Sequence, residues 1–173
     1  SLYRVHEAPD PLRVIEFEEF VSSLGFSLAA PPGGVHPRHF QHLVDRIKGA
    51  PEERPIAFLM LRTMQKARYD PSNLGHFGLA AAAYCHFTSP IRRYPDLIVH
   101  RGIRHVLRNG TAEALPASLS AMDVFGQQCS FKERRADEAT RDAMSWLKCE
   151  YMQDKIGEEF EALVTGVVDF GLF

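Results

Sequence analysis

The chain has 173 residues, 45% of them hydrophobic and 24% charged, with a formal net charge of −2 and a pI near 6.4. Such a composition supports one domain-sized core and excludes global disorder, and the near-neutral balance excludes a uniformly basic polyanion binder, so any such site must come from local clustering. No uninterrupted apolar run reaches the roughly 18 residues of a membrane helix, the first residues show no basic-then-apolar pattern, and Cys85, Cys129 and Cys149 lack the short paired spacing of a zinc site. The expectation is a cytoplasmic protein with reduced, buried thiols and neither a disulfide nor a metal held by cysteine.

The first helix is expected over Asp10 to Gly25, with Asp10 as cap, Pro11 at the first helical position and Leu12, Ile15, Phe20, Val21 and Leu24 facing a core. A Pro/Gly loop follows from Ala29 to Gly34. Pro37, Phe40, Leu43, Val44 and Ile47 then mark a second amphipathic helix that stops by Gly49. His36, His39 and His42 at its start suit either metal ligands or plain helix-surface histidines; no neighbouring acid or cysteine completes a metal set. A third helix spans about Pro55 to Ala67, burying Ile56, Leu59, Met60 and Met64, and Tyr69 to Asn73 breaks it, with Asp70 as a turn cap.

The stretch from Gly75 to Arg108 has the densest pattern. A small-residue lead-in (Gly75, Gly78, Ala80 to Ala83) permits close backbone approach, and Gly75 to Phe87 suits an extended, buried segment as well as a helix. The turn Thr88-Ser89-Pro90-Ile91-Arg92-Arg93-Tyr94-Pro95-Asp96 comes next. Its two prolines bias their predecessors away from helix, so Arg92 and Arg93 sit on a loop ahead of a helix that Asp96 opens at the positive end of its dipole. Spacing divides that helix into a packing face (Val99, Gly102, Ile103, Val106, Leu107) and a basic face (His100, Arg101, Arg104, His105, Arg108). From Arg92 to Arg108 five arginines face one acid, a local +4 in a chain of −2. Paired guanidiniums there suit a phosphate; they suit partner carboxylates as well.

Asn109-Gly110 ends the helix. A short helix from Ser118 to Gln128 and a longer one from a Ser130-x-x-Glu133 capping box to about Ile156 are expected next. Ala136, Ala139, Ala143, Leu147 and Tyr151 form the longer helix's apolar stripe, while Glu133 to Asp142 alternates in sign like a solvated face. Alternation from Phe160 through Ala162 and Val164 indicates a strand.

The run HFGLAAAAYCHFTSPIRRYPDLIVHR resembles the ribonuclease II and ribonuclease R family of 3′-to-5′ exoribonucleases, and ERRADEATRDAMSWLKCEYM is closer to the ribonuclease R branch. The resemblance implies an α+β, mainly helical piece of a longer protein: residues 1–157 as the C-terminal half of an RNB catalytic domain, and 158–173 as the first strand or two of an OB-fold. It implies a processive hydrolase that threads single-stranded RNA and releases nucleoside 5′-monophosphates with Mg²⁺. Matched along SPIRRYPD, the arginine essential for cleavage falls on Arg92. Thr88, Ser89, Arg93, Tyr94 and His86 are then the RNA-contacting candidates, with Tyr94 and His86 equally suited to shaping the loop. Ribonuclease II carries a functional glutamate near the position of Thr140, so that role does not carry over, although an acid of the Glu133 to Asp142 run suits holding Arg92 or Arg93. The family's clustered aspartates lie upstream of these residues, so the chain itself is expected to bind no catalytic Mg²⁺ and to be inactive alone. Readings from other classes are a stand-alone RNA-binding module and a scaffold whose arginines grip protein carboxylates.

Overall fold

The computed structural model describes residues 1–31, 34–109, 119–162, 164 and 167–172. It is mostly helical with little strand, and it divides into two units, Ser1–Phe131 and Lys132–Phe173.

In the first unit, strand β1 (Tyr3–Val5) precedes helices α1 (Pro11–Ser23), α2 (Pro37–Ile47) and α3 (Glu53–Thr63). Asp10 caps α1 by accepting from Leu12 N at 2.8 Å, and Gly25 turns the chain at φ +82°. The core holds Phe17, Val21, Leu28, Phe40, Leu43, Ile47 and Ile56, with Leu59, Met60, Met64 and Phe77 against it. The burying face of α1 is rotated from the expected one: Phe17 and Val21 point inward, whereas Leu12 and Ile15 are 70% and 55% exposed. Phe17 stacks on Phe40 at 6.2 Å, and that aromatic pair sets which side of α1 faces α2. The expected end of α3 at Ala67 is too late, because Met64 already adopts an extended conformation.

The Tyr69 to Asn73 break contains a strand that residue spacing did not indicate. Strand β2 (Arg68–Asp70) pairs antiparallel with β1, Tyr3 opposite Asp70 and Val5 opposite Arg68. Asp70 does cap the following turn, accepting from Ser72 N at 2.8 Å. The other edge of β1 takes up the small-residue lead-in, with Arg4 N donating to Tyr84 O, His6 N to Gly75 O and Phe77 N to His6 O. This segment is irregular, with a short 3-10 turn at Phe77–Leu79, and its residues are half-buried or exposed rather than buried. The close approach expected from its small residues is present: a Cβ on Gly78 would lie 3.0 Å from His6 Nδ1.

Helix α4 (Tyr94–Asn109) rests on a second, smaller core of Leu2, Ile98 and Met122 with Phe125 beside it. Only the start of the expected packing face is covered. Ile98 and Val99 are buried, but Ile103, Val106 and Leu107 are exposed, Leu107 by 80%.

Helix α5 (Leu119–Met152) is one continuous helix of 34 residues where two were expected. Ser130 is not a cap. Its hydroxyl donates to Gly126 O at 2.7 Å, one turn back, and accepts from Tyr69 N at 2.9 Å, so it is a buried mid-helix bridge to β2. Ser118 lies outside the described residues.

In the second unit, Ala136, Ala139, Ala143, Leu147 and Tyr151 are exposed rather than packed, and Arg134 to Asp142 are exposed as a solvated face should be. Cys149 is an exposed thiol, against the expectation of burial. The expected strand from Phe160 is absent at Phe160, Ala162 and Val164; instead Val167–Val168 (β3) pairs with Gly171–Leu172 (β4) as a small hairpin.

Candidate functional site

Asp96 is the fixed point of the arginine loop. Its side chain is fully buried and its Oδ1 accepts from Ser89 N at 2.8 Å and from Arg93 Nη2 at 2.9 Å. Ser89 O in turn accepts from Arg92 N and Arg93 N, which closes the turn between the prolines. A buried carboxylate left unpaired would cost several kcal/mol, so Asp96 and the loop around it are ordered together. The pair is end-on: Arg93 Nε and Asp96 Oδ2 are buried with no hydrogen-bond partner among the described residues.

The two arginines therefore differ. Arg93 is spent on the carboxylate three residues along, with Thr88 Oγ1 at 3.5 Å from its Nη2. The acid that holds it comes from the start of the helix that follows, three residues along. Arg92 is exposed, and among the described residues its guanidinium makes no hydrogen bond or ion pair. Ile91 beside it is completely exposed. A guanidinium held at the tip of a pinned loop, with no partner among the described residues, suits an oxyanion such as a phosphate, to which its planar fork donates two parallel hydrogen bonds.

The remaining candidates surround the loop. Thr88 is exposed and Ser89 half-buried. Tyr94, 43% exposed, meets Phe125 edge to face at 5.6 Å. His86 Nδ1 hydrogen-bonds the buried Tyr69 hydroxyl at 2.9 Å, and a ladder of edge-to-face rings runs from Tyr69 through His86 and Tyr84 to His76. Partial burial, helped by the charges of His6 and Arg4, lowers the His76 pKa below its ordinary 6.5 and favours the neutral ring. Asp96 was legible as the opening of the helix but not as the partner of Arg93, for which their i,i+3 spacing was a usable signal. Nothing local announced the supporting roles of Tyr69 and Ser130.

The basic face of α4 is present as expected. Arg101, Arg104 and Arg108 are exposed and make no ion pair among the described residues, and His100 stacks flat on Phe87, centroids 4.2 Å apart and planes within 4°.

His36, His39 and His42 are exposed or half-buried at the start of α2, as helix-surface histidines are, and the first two also cap the helix. His39 Nδ1 accepts from His36 N at 2.9 Å and His36 Nδ1 from Arg38 N at 3.4 Å, a reciprocal cap on α2. Among the described residues no three His, Cys, Asp or Glu side chains converge, and Asp96 is already engaged by Arg93 and Ser89. These residues do not fit a magnesium site. Among the described residues no helix is long and apolar enough to cross a membrane.

Residues 1–109 match the RNB domain, and the chain belongs to that family. Its relatives include the ribonuclease R of Vibrio parahaemolyticus, 44% identical over the full chain but only 22% of that protein's length. The chain thus spans less than a quarter of that relative. Among solved structures, the apo form of Mycoplasma genitalium RNase R superposes with a TM-score of 0.91 at 26% identity, covering 99% of this chain and 27% of that one; the same protein is also known in complex with ribose-methylated single-stranded RNA. Yeast Ssd1, a pseudonuclease, superposes with a TM-score of 0.76 at 27% identity, over 89% of this chain and 19% of its own.

Proposed function

We propose that the chain is part of a hydrolytic, processive 3′-5′ exoribonuclease of the ribonuclease R type, cytoplasmic and acting on single-stranded RNA, and that it supplies the arginine loop which grips an RNA phosphate. In this reading residues 1–157 are the C-terminal part of the RNB catalytic domain and 158–173 open an OB-fold. RNB-domain ribonucleases generally depend on a divalent metal, and Mg²⁺ would be held by carboxylates outside these residues.

The observation that carries the reading is the unequal fate of the two arginines: Arg93 is tied to Asp96 at 2.9 Å, and Arg92 makes no hydrogen bond or ion pair among the described residues. A donor aimed where charge builds on a phosphate during cleavage is worth about a hundred- to a thousandfold in rate. Arg92 is assigned that part. Ser89 and Thr88 line the loop for hydrogen bonds to phosphate oxygens, Tyr94 and His86 shape it, and Arg93 serves the loop chiefly through Asp96 and only secondarily as a backbone-phosphate contact.

A second reading has specific support. The likeness to yeast Ssd1, a pseudonuclease, favours an RNA-binding or scaffolding role without catalysis. Titration of a short single-stranded RNA against the 173-residue chain and its Arg92→Ala variant, with release of mononucleotides followed in Mg²⁺, separates the readings. The proposal expects salt-sensitive binding, about tenfold weaker in the variant, and no turnover. Failure of the wild-type chain to bind RNA at low salt leaves the scaffold; mononucleotide release by it contradicts the assignment of the metal to other residues.

A further inference from the structure

Helix α4 places Arg101, Arg104 and Arg108 at i, i+3 and i+7, which is one stripe about 10 Å long. All three are exposed and none is paired among the described residues, in a chain whose total charge is negative. Three unneutralised like charges on one stripe repel one another and lower the helix's own stability, so intrahelical pairing does not account for them. The stripe also has an aromatic flank. His100 lies beside it, and Phe87, stacked face to face on that imidazole and held by His100 Nε2 donating to Phe87 O at 2.8 Å, is still 44% exposed. The hydrogen bond brings the segment just ahead of the arginine loop onto the basic side of the helix. Phe87 is two residues from Ser89, whose amide is fixed by Asp96.

From this juxtaposition we infer that α4 and Phe87 form a second RNA subsite, distinct from the Arg92 contact, in which the arginine stripe tracks the phosphates of single-stranded RNA and the exposed ring of Phe87 stacks on a base. A row of cations beside an open aromatic face is the arrangement that binds single strands with little sequence preference. A carboxylate-bearing protein surface would satisfy the stripe but gives no reason for an exposed, rigidly backed ring beside it. The inference rests on the reading of the chain as an RNA-binding part of an exoribonuclease and adds a site to it.

The test is fluorescence anisotropy of a labelled oligouridylate with the 173-residue chain across a potassium chloride series. The variants are Arg101→Gln/Arg104→Gln/Arg108→Gln, Phe87→Leu and Arg92→Ala, with circular dichroism melts to verify folding. For single strands log Kobs falls with log salt at about 0.7 per neutralised phosphate, so the triple variant should lower the slope by about 2. Phe87→Leu keeps an apolar side chain but no stacking face; it should weaken binding about tenfold with the slope unchanged, and should cost nothing with an abasic ribose-phosphate oligomer. An unchanged slope in the triple variant overturns the inference, as does a Phe87→Leu effect that persists on the abasic chain. Loss of binding in Arg92→Ala with none in the triple variant leaves the loop assignment standing and removes only the stripe; the converse removes the loop and keeps the stripe.

Discussion

Asp96 is a fully buried carboxylate whose only side-chain ion partner among the described residues is Arg93, and each of the two groups keeps one buried polar atom with no hydrogen-bond partner there. Removing one member of such a pair strands the other, so Asp96→Asn should lower the unfolding free energy by about 3 kcal/mol, read as a fall in the urea midpoint. The same substitution in an Arg93→Met background should cost clearly less, because no stranded guanidinium then remains. Equal costs in the two backgrounds would show that Asp96 acts only through the Ser89 amide. Arg92 offers the contrast. With no partner to lose among the described residues, Arg92→Ala should leave stability within about 0.5 kcal/mol of wild type. The family resemblance along SPIRRYPD already set Arg92 apart as the cleavage arginine and left Arg93 as an RNA-contacting candidate. The structure adds the reason that Arg93 is the one engaged: it lies three residues from the buried Asp96 and reaches its carboxylate at 2.9 Å.

Among the elements, α5 and β2 meet through a backbone contact that tolerates no added atom. A Cβ on Gly126 would stand 2.8 Å from Tyr69 O, and backbone cannot retreat as a flexible side chain can. Alanine is ordinarily favoured over glycine in a helix by about 1 kcal/mol. At Gly126 the clash outweighs that gain, and Gly126→Ala should destabilise by about 1 to 3 kcal/mol. At Gly102 in α4 a Cβ meets nothing within 4 Å, so Gly102→Ala should stabilise by several tenths to about 1 kcal/mol. Opposite shifts in thermal midpoint for one chemical change check both contacts. These elements also show where periodicity reads well. Helix α2 has its expected inner face, Phe40, Leu43 and Ile47, because an amphipathic helix on a core repeats every 3.6 residues. Strands β1 and β2 have three residues each, too few for an alternation to register, and their pairing joins segments more than sixty residues apart. Ser130 misled for a related reason: Ser-x-x-Glu marks a cap only where the chain is not already helical, and here the helix had begun at least ten residues earlier.

For the whole molecule, positive charge is concentrated on one loop and one helix face while the rest of the chain is acidic. Their placement follows from the small second core, in which Leu2, Ile98 and Met122 bring the N-terminus, α4 and the start of α5 together. Burying each such side chain stabilises by about 1.5 to 3 kcal/mol, enough for three residues to order the helix that carries the arginines. The loop's residues, Asp96 among them, and the family were legible in the SPIRRYPD run, and the fold comparison agrees with the family; the support from Tyr69 and Ser130 was not, because their hydrogen bond joins residues 61 apart. The most direct test of the account is a thermodynamic cycle between Arg92→Ala and single methylphosphonate linkages, neutral in place of charged, moved one position at a time along a single-stranded oligoribonucleotide. The account predicts that one linkage near the 3′ end, and only one, couples to Arg92, so that neutralising it in the variant costs nothing further. Coupling that is absent at every linkage, or spread evenly over all of them, would contradict a specific grip of this arginine on an RNA phosphate.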